Sequence, residues 1–340
     1  MKIHFTIAAL LLTTCSVHAQ YTKYIQAVDE YVPAPGQFVN TLPQYEDGNT
    51  AADMAQKCTE CIAAGKGDMI TLGAYGGYVT FHFDHPVANL PGQKDFAVWG
   101  NAFYDNSEPA IVMVSVDENQ NGLPDDTWYE LAGSEYYKSG TVHGYVITYT
   151  YDAMKDIQWT DNQSCTGSVP RNEYHEQEYF PLWLTATGTL SFQGTLLPPN
   201  AVKWKNTYIL SGYDYGYADN WPNSDRDGCS MNIEWAVDAE GNSVQLDHID
   251  FVRCYTAVNQ VCGAIGETSS EITGAEDLHL DESIATYLSE TPCDRQQTTT
   301  EETGIFDLQG RRISRSTFNA QRSALPRGLY ITNGRKVLIQ

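Results

Sequence analysis

Eight short runs decide what this chain can fold into. Residues 78–83, 95–99, 110–116, 145–151, 189–192, 206–210, 231–237 and 249–255 are rich in β-branched and aromatic side chains and are bounded by Gly, Pro, Asn or Asp. Runs of that length and composition read as strands. Several alternate apolar with polar residues, so that one face is buried while the other meets water. One segment breaks the pattern: residues 50–65, with their Ala, Gln and Glu content and a closing Gly65, read as a helix with a glycine terminator. The expected fold is mainly β, an antiparallel, jelly-roll-like β-sandwich over residues 20–280 with one short helix. Residues 21 to about 45, punctuated by Pro33 and Pro35, read as an extended lead-in. Asp238-Ala-Glu-Gly-Asn242 reads as the turn of a hairpin joining 234–237 to 243–246.

The 340 residues carry 43 acidic and 20 basic side chains, a net charge of −23. Phosphate affinity comes from clustered Lys and Arg, so nucleic acid is not the expected partner. The 22 Tyr and 7 Trp, with only 19% charged residues, exclude a disordered chain. Lys2, the apolar run 5–12 and Val17-His-Ala19 read as a secretory signal peptide over residues 1–19, with Cys15 as a lipid acceptor in the alternative processing. That run is far short of the roughly 20 residues that cross a bilayer, and no later segment reaches them, so no membrane-spanning segment is expected. Export places the later cysteines in an oxidising setting where disulfides persist. Cys58 and Cys61 read as incidental or locally paired rather than as a redox pair, and Cys229, Cys254 and Cys262 as a group that could pair.

Two stretches carry chemistry. In Asp117-Glu-Asn-Gln-Asn-Gly-Leu-Pro-Asp-Asp126, Asp117, Asn119, Asn121, Asp125 and Asp126 place oxygen side chains at the spacing of a calcium loop, with Gly122 for the turn. The expected role of Ca2+ there is structural; the alternative is a polar turn capping its own backbone. In Gly212-Tyr-Asp-Tyr-Gly-Tyr-Ala-Asp-Asn-Trp221, aromatic faces lie beside carboxylate and amide groups, the composition of a recognition surface. Tyr215, Tyr217, Asp219, Asn220 and Trp221 are the expected ligand-binding residues. No catalytic residues are assigned. Glu173, His175, Glu176 and Glu178 read as a polar edge, since nothing identifies a facing carboxylate, and His82 with His85 is too sparse for a metal site.

The end of the chain differs from the rest. Residues 281–303 have the polarity of a linker. Residues 304–340 hold Arg311, Arg312, Arg315, Arg322, Arg327, Arg335 and Lys336 against the single acid Asp307, spread over three short strands and their turns. Ile305-Phe-Asp-Leu-Gln-Gly-Arg-Arg, Leu325-Pro-Arg-Gly-Leu-Tyr-Ile and Asn333-Gly-Arg-Lys-Val-Leu-Ile together resemble the C-terminal sorting domain of the type IX secretion system of Bacteroidetes. That resemblance implies handling by the type IX machinery and passage across the outer membrane.

The body carries a second resemblance. Tyr31-Val-Pro-Ala-Pro-Gly-Gln-Phe-Val-Asn, Leu72-Gly-Ala-Tyr-Gly-Gly-Tyr, Trp99-Gly-Asn-Ala-Phe-Tyr, Glu108-Pro-Ala-Ile-Val-Met-Val-Ser, Trp128-Tyr-Glu-Leu-Ala-Gly-Ser-Glu-Tyr, Trp159-Thr-Asp-Asn-Gln, Tyr215-Gly-Tyr-Ala-Asp-Asn and Ile233-Glu-Trp-Ala-Val-Asp are similar to a family of PKD-like Bacteroidetes cell-surface proteins. The similarity implies a surface location beside outer-membrane uptake systems, including those for corrinoids such as cobalamin, and brings no catalytic residues. The expected function is non-catalytic binding of an extracellular ligand, a corrinoid or a glycan, beside an outer-membrane transporter. The alternatives are a glycan-acting hydrolase, which needs two carboxylates facing one cleft, and a structural adhesin or surface-layer component.

Overall fold

The structure, a computed structural model, describes residues 21–280 and, beyond them, only the strands Ile305–Asp307, Arg312–Ile313, Gly328–Thr332 and Arg335–Ile339. The expected signal peptide and linker lie outside the described residues. Two compact units divide the chain, residues 1–292 and 293–340.

In chain order the first unit begins with β1 (Ala27–Val32), α1 (Ala51–Ile62), β2 (Ile70–Thr71), β3 (Tyr78–Ala88), β4 (Phe96–Trp99), β5 (Ala110–Ser115) and β6 (Trp128–Leu131). It continues with β7 (Val142–Thr150), β8 (Ile157–Asp161), β9 (Thr166–Val169), β10 (Thr189–Leu196), β11 (Ala201–Trp204), β12 (Thr207–Leu210) and β13 (Tyr217–Ala218). It closes with β14 (Ser230–Met231), β15 (Ala236–Val237), β16 (His248–Thr256), β17 (Glu271–Ile272) and β18 (Gly274–Asp277). The fold is mainly β with antiparallel sheets, as the runs of β-formers predict.

The largest sheet has the order β1-β3-β16-β5-β6-β15, and β13 pairs with the remaining length of β5. Alternation along its strands puts Val79, Phe81 and Phe83 of β3, Val112 and Val114 of β5, and Val252 and Cys254 of β16 in one core. Register sets Val252 opposite both Phe81 and Val114. This core is completed by Met54, Cys58 and Ile62 of α1 and by Phe96, Val98 and Ile272 of the short pairings β14-β4-β18 and β17-β2. Each aliphatic side chain fully buried there stabilises the fold by roughly 1.5–3 kcal/mol.

The helix starts at a capping box. Thr50 Oγ1 accepts from the Asp53 amide at 3.3 Å while Asp53 Oδ2 accepts from the Thr50 amide at 2.8 Å. Thr59 Oγ1 accepts from the Val28 amide at 2.9 Å and ties the helix to β1.

The second sheet, β10-β7-β8-β9, closes its own core around Tyr145, Ile147, Tyr149 and Phe192 with Tyr75, Tyr179 and Phe180. Tyr255 of β16 links the two sheets in a sandwich-like arrangement, its hydroxyl accepting from the Thr195 amide of β10 at 2.9 Å. A Cβ at Gly194 would come within 2.8 Å of that hydroxyl, so this position takes only glycine.

Three readings change. Residues 231–237 are not one strand: Asn232 Oδ1 accepts from the Glu234 amide and starts a 3₁₀ turn, Ile233–Trp235, between β14 and β15. The lead-in over 21–45 contains a true strand, β1. All six cysteines among the described residues are unpaired, including Cys58, Cys61, Cys229, Cys254 and Cys262. Burial pushes the Cys58 and Cys254 thiols up, away from reactive thiolate. The hairpin turn at 238–242 forms as expected, with Val237 bridged to Ser243 and Gly241 at φ +80°. In the second unit β19 (Ile305–Asp307), β20 (Arg312–Ile313), β21 (Gly328–Thr332) and β22 (Arg335–Ile339) form one antiparallel sheet of order β20-β19-β21-β22.

Candidate functional site

The segment 213–221 does not form one recognition face. Pairing of β13 with β5 turns Tyr217 inward, leaving it 1% exposed with its hydroxyl accepting from the Glu135 amide at 3.0 Å. Asn220 is buried and saturated by one neighbour: its Oδ1 accepts from the Tyr213 amide and its Nδ2 donates to the Tyr213 carbonyl, both at 2.8 Å. Asp219 is buried as well. Only Tyr215 and Trp221 reach the surface, against Trp235 and Tyr104 respectively. The five expected ligand residues are thus divided between core and surface and do not act as one platform.

The expected calcium residues do share one exposed loop, between β5 and β6. Asp117 accepts from the amides of Asn121 (3.1 Å) and Gly122 (2.8 Å), and Asp126 from that of Glu118 (3.0 Å). The side-chain amides of Asn119 and Asn121 both donate to Asp125, at 3.1 and 3.0 Å. In this arrangement the loop caps its own backbone, and its donor set is the hard, oxygen-only kind that calcium takes.

Asp219 leads to the site that sequence reading missed. Its backbone is left-handed, φ +50°. Its Oδ1 accepts from the Asn101 and Ala102 amides at 2.7 and 2.8 Å, and its Oδ2 from the Glu271 amide at 2.9 Å. Gly100 makes this approach possible, since a Cβ there would sit 2.2 Å from Asp219 Oδ1. One carboxylate oxygen from each of Glu108, Asp219 and Glu271 lies within 4.8 Å of the others. Glu108 enters from the residues just before β5, Asp219 from the end of β13, and Glu271 from β17.

The segment that brings Glu271 is unusual: Glu267-Thr-Ser-Ser-Glu271 is five consecutive polar residues, all buried. Burial of polar groups costs unless they are bonded; a relay bonds Ser269 and Glu271, while Ser270 Oγ and Glu267 Oε2 have no partner. The Gly73 amide donates to Ser269 Oγ (3.0 Å), Ser269 Oγ lies 2.6 Å from Thr71 Oγ1, and Thr71 donates to Glu271 Oε1 (3.1 Å). The Ser269 amide donates to Glu108 Oε1 at 3.2 Å.

Above Glu108 and Glu271 opens a cleft of about 510 Å³, lined also by Gln37, Phe38, Met69, Asn101, Asn172, Tyr174 and His175. Phe38 and His175 meet edge to face at 4.7 Å, and Tyr174 stands 72% exposed at the rim. The sequence reading weighed His175 as part of a polar edge; the fold puts it in the cleft wall. It turns Glu178 inward instead, where Oε1 caps the amides of Tyr179 and Phe180, and leaves Glu173 and Glu176 exposed. His82 pairs with Asp29, and His85 lies between Asp84 and Asp277, so the two histidines serve separate ion pairs.

Among the described residues, no Lys or Arg lines the cleft. Burial pushes Glu108 up to about 8, with the Asp219 charge adding to it, and Glu271 is raised by burial and then by the Glu108 charge. Asp219 is raised by burial against three amide hydrogen bonds that pull the other way. Three carboxylates this close do not all ionise without a countercharge. Asp219 alone has three N–H donors to hold a negative charge, so protonation falls more readily on Glu108 and Glu271. The floor of the cleft therefore offers both a donor and acceptors.

The fold and this cleft define a mainly-β protein with an acid-floored cleft. Compared with known proteins, the chain matches no family model and no curated sequence.

Proposed function

We propose that this protein is a secreted or surface-held, non-catalytic binder of an extracellular glycan, and that the ligand sits in the cleft over Glu108 and Glu271. The observation that carries the reading is the lining itself. Gln37, Asn101 and Asn172 place side-chain amides in the lining, where Gln37 and Asn172 give one N–H each to the Ile265 and Ala264 carbonyls and keep the second for a ligand hydroxyl; the carboxyls accept from and donate to hydroxyls, and Phe38, Tyr174 and His175 offer ring faces. A neutral polyhydroxylated ligand suits a negative cleft without a basic side chain. A corrinoid such as cobalamin, a broad macrocycle, suits a cleft of about 510 Å³ less in size. Export, sorting by the type IX machinery and delivery to an outer-membrane transporter belong to the same reading, supported by the leader, the tail motifs and the likeness to surface proteins. Calcium in the 117–126 loop would act there as a structural ion.

The test is calorimetric titration of the mature chain with a panel of neutral oligosaccharides and with cobalamin. At least one oligosaccharide should give a saturable heat that Asn172→Ala abolishes, and binding of cobalamin alone would overturn the reading.

Hydrolysis of a glycan is the second reading, and one observation favours it: two carboxyl side chains, Glu108 and Glu271, line one cleft, which is what a glycosidase requires. New reducing ends on incubation with the bound oligosaccharide, absent with Glu108→Gln, would establish it.

A further inference from the structure

Two large aromatic side chains near the cleft have no role in the core. Phe103 is 68% and Tyr104 66% exposed. They are not on a loose loop. The Phe103 amide donates to the Asn106 carbonyl and the Asn106 amide to the Phe103 carbonyl, at 3.2 and 3.0 Å, closing a tight turn with Asp105 at φ +65°. The Leu210 amide donates to the Asp105 carbonyl at 3.0 Å and fixes that turn to β12. Trp221 lies edge-on to Tyr104 with ring centroids 6.1 Å apart.

These rings flank a second cleft of about 520 Å³, lined by residues 100–104 and 222–224. Asn101 lines both clefts. Their spacing is held by Asp219, which bonds the amides of Asn101 and Ala102 on one side and of Glu271 on the other. Asn223 locks the opposite wall through paired bonds with the Gly100 backbone, at 3.1 and 2.7 Å.

We infer that the two clefts form one groove for a linear neutral oligosaccharide, with the sugar rings beyond the acid cleft stacking on Tyr104 and Phe103. The inference rests on the glycan reading of the acid cleft and extends it from a single site to a chain-length-selective one. Exposed, rigidly mounted aromatic faces beside side-chain amides favour flat apolar sugar faces with hydroxyl edges. The second cleft has no charged side chain in its lining, which fits a neutral continuation of the ligand. Asp219 acts in this arrangement as a positioning residue, holding the distance between the hydroxyl-binding and ring-stacking halves.

The experiment is calorimetric titration of the mature chain with the best-binding sugar type as a series from disaccharide to hexasaccharide. Wild type is compared with the Phe103→Ala/Tyr104→Ala double variant. Tyr137→Ala, an equally exposed aromatic on another loop, serves as the control. In wild type and the control, affinity should rise roughly tenfold or more from disaccharide to tetrasaccharide, about 1.4 kcal/mol. In the double variant that rise should shrink to about twofold or less. Because both residues are solvent-exposed, their removal leaves the core intact, which a thermal melt verifies. An equal rise in the double variant, or no rise with length in wild type, overturns the groove while leaving disaccharide binding in the acid cleft standing. Failure of every sugar to bind, or disaccharide binding that survives Asn172→Ala, overturns the glycan reading and the groove with it.

Discussion

Glu108→Gln isolates the ionisation state of the cleft floor. Glutamine keeps an Oε1 acceptor for the Ser269 amide, 3.2 Å away in the wild type, and it cannot ionise. In the folded wild type Glu108 titrates at about 8 against 4.5 for an unperturbed glutamate, so folding takes up a proton at any pH between the two. The raised value fixes the sign. The favourable contribution is complete below about 4.5 and is lost as pH rises through 8, at about 1.4 kcal/mol per pH unit. From about pH 5 to pH 7 the wild type should lose about 2–3 kcal/mol that the variant retains. The variant, equal or slightly inferior in acid, then becomes the more stable form near neutrality. Urea unfolding across that range measures the difference directly. Stability curves that stay parallel from acid to neutral pH would refute a buried, proton-holding pair at Glu108 and Glu271.

Three further outcomes follow from the same structure. Asp219→Ala leaves the amides of Asn101, Ala102 and Glu271 without an acceptor, and should cost about 3 kcal/mol or more in chemical denaturation; a loss under about 1 kcal/mol would show that the three bonds are not what holds the loop. His85 bridges Asp84 and Asp277 at 2.7 and 2.8 Å. Burial of its ring opposes the charge, but the Asp277 and Asp84 hydrogen bonds outweigh it and raise the pKa above 6.5. The stabilisation from this pair is complete below about 6.5 and lost as pH climbs through the raised value. Thermal melts of His85→Gln should therefore decline less steeply above pH 6.5 than those of the wild type, the Glu108 contribution remaining, and an unchanged decline would show that this pair adds nothing to it. Calcium should raise the melting temperature of the wild type relative to chelator, and Asp117→Ala should remove that shift; equal melting points in all four cases would leave the 117–126 loop as a self-capped turn.

Much of the fold was legible because it rests on local pattern. The alternation of β3 and β16, the run of β5 bounded by Pro109 and Asp117, the Ala-rich helix before Gly65 and the turn at 238–242 all follow from residue type and spacing. Where a side chain competed with the backbone, pattern was not enough: Asn232 broke the run 231–237 by capping Glu234. The candidate site was far less legible. Glu108 is one acid before a proline and a strand, and Glu267-Thr-Ser-Ser-Glu271 has the composition of an exposed turn. It is buried because Thr71, Gly73 and Thr256, remote in sequence, bond it from three sides. Asp219 was singled out for the right segment and the wrong task. Composition placed it with Asn220 and Trp221 in a binding loop after the tyrosines, whereas its backbone is left-handed and its carboxylate turns inward to three amides.

Hydrogen exchange of the mature chain with and without the tightest-binding oligosaccharide tests most directly whether the acid-floored cleft is the binding site. Exchange should slow in the segments around Phe38, Asn101, Tyr174 and Ser269, which come together only in that cleft. Slowing confined to 213–221 or 117–126, with the cleft segments unchanged, would place the ligand elsewhere and contradict the assignment.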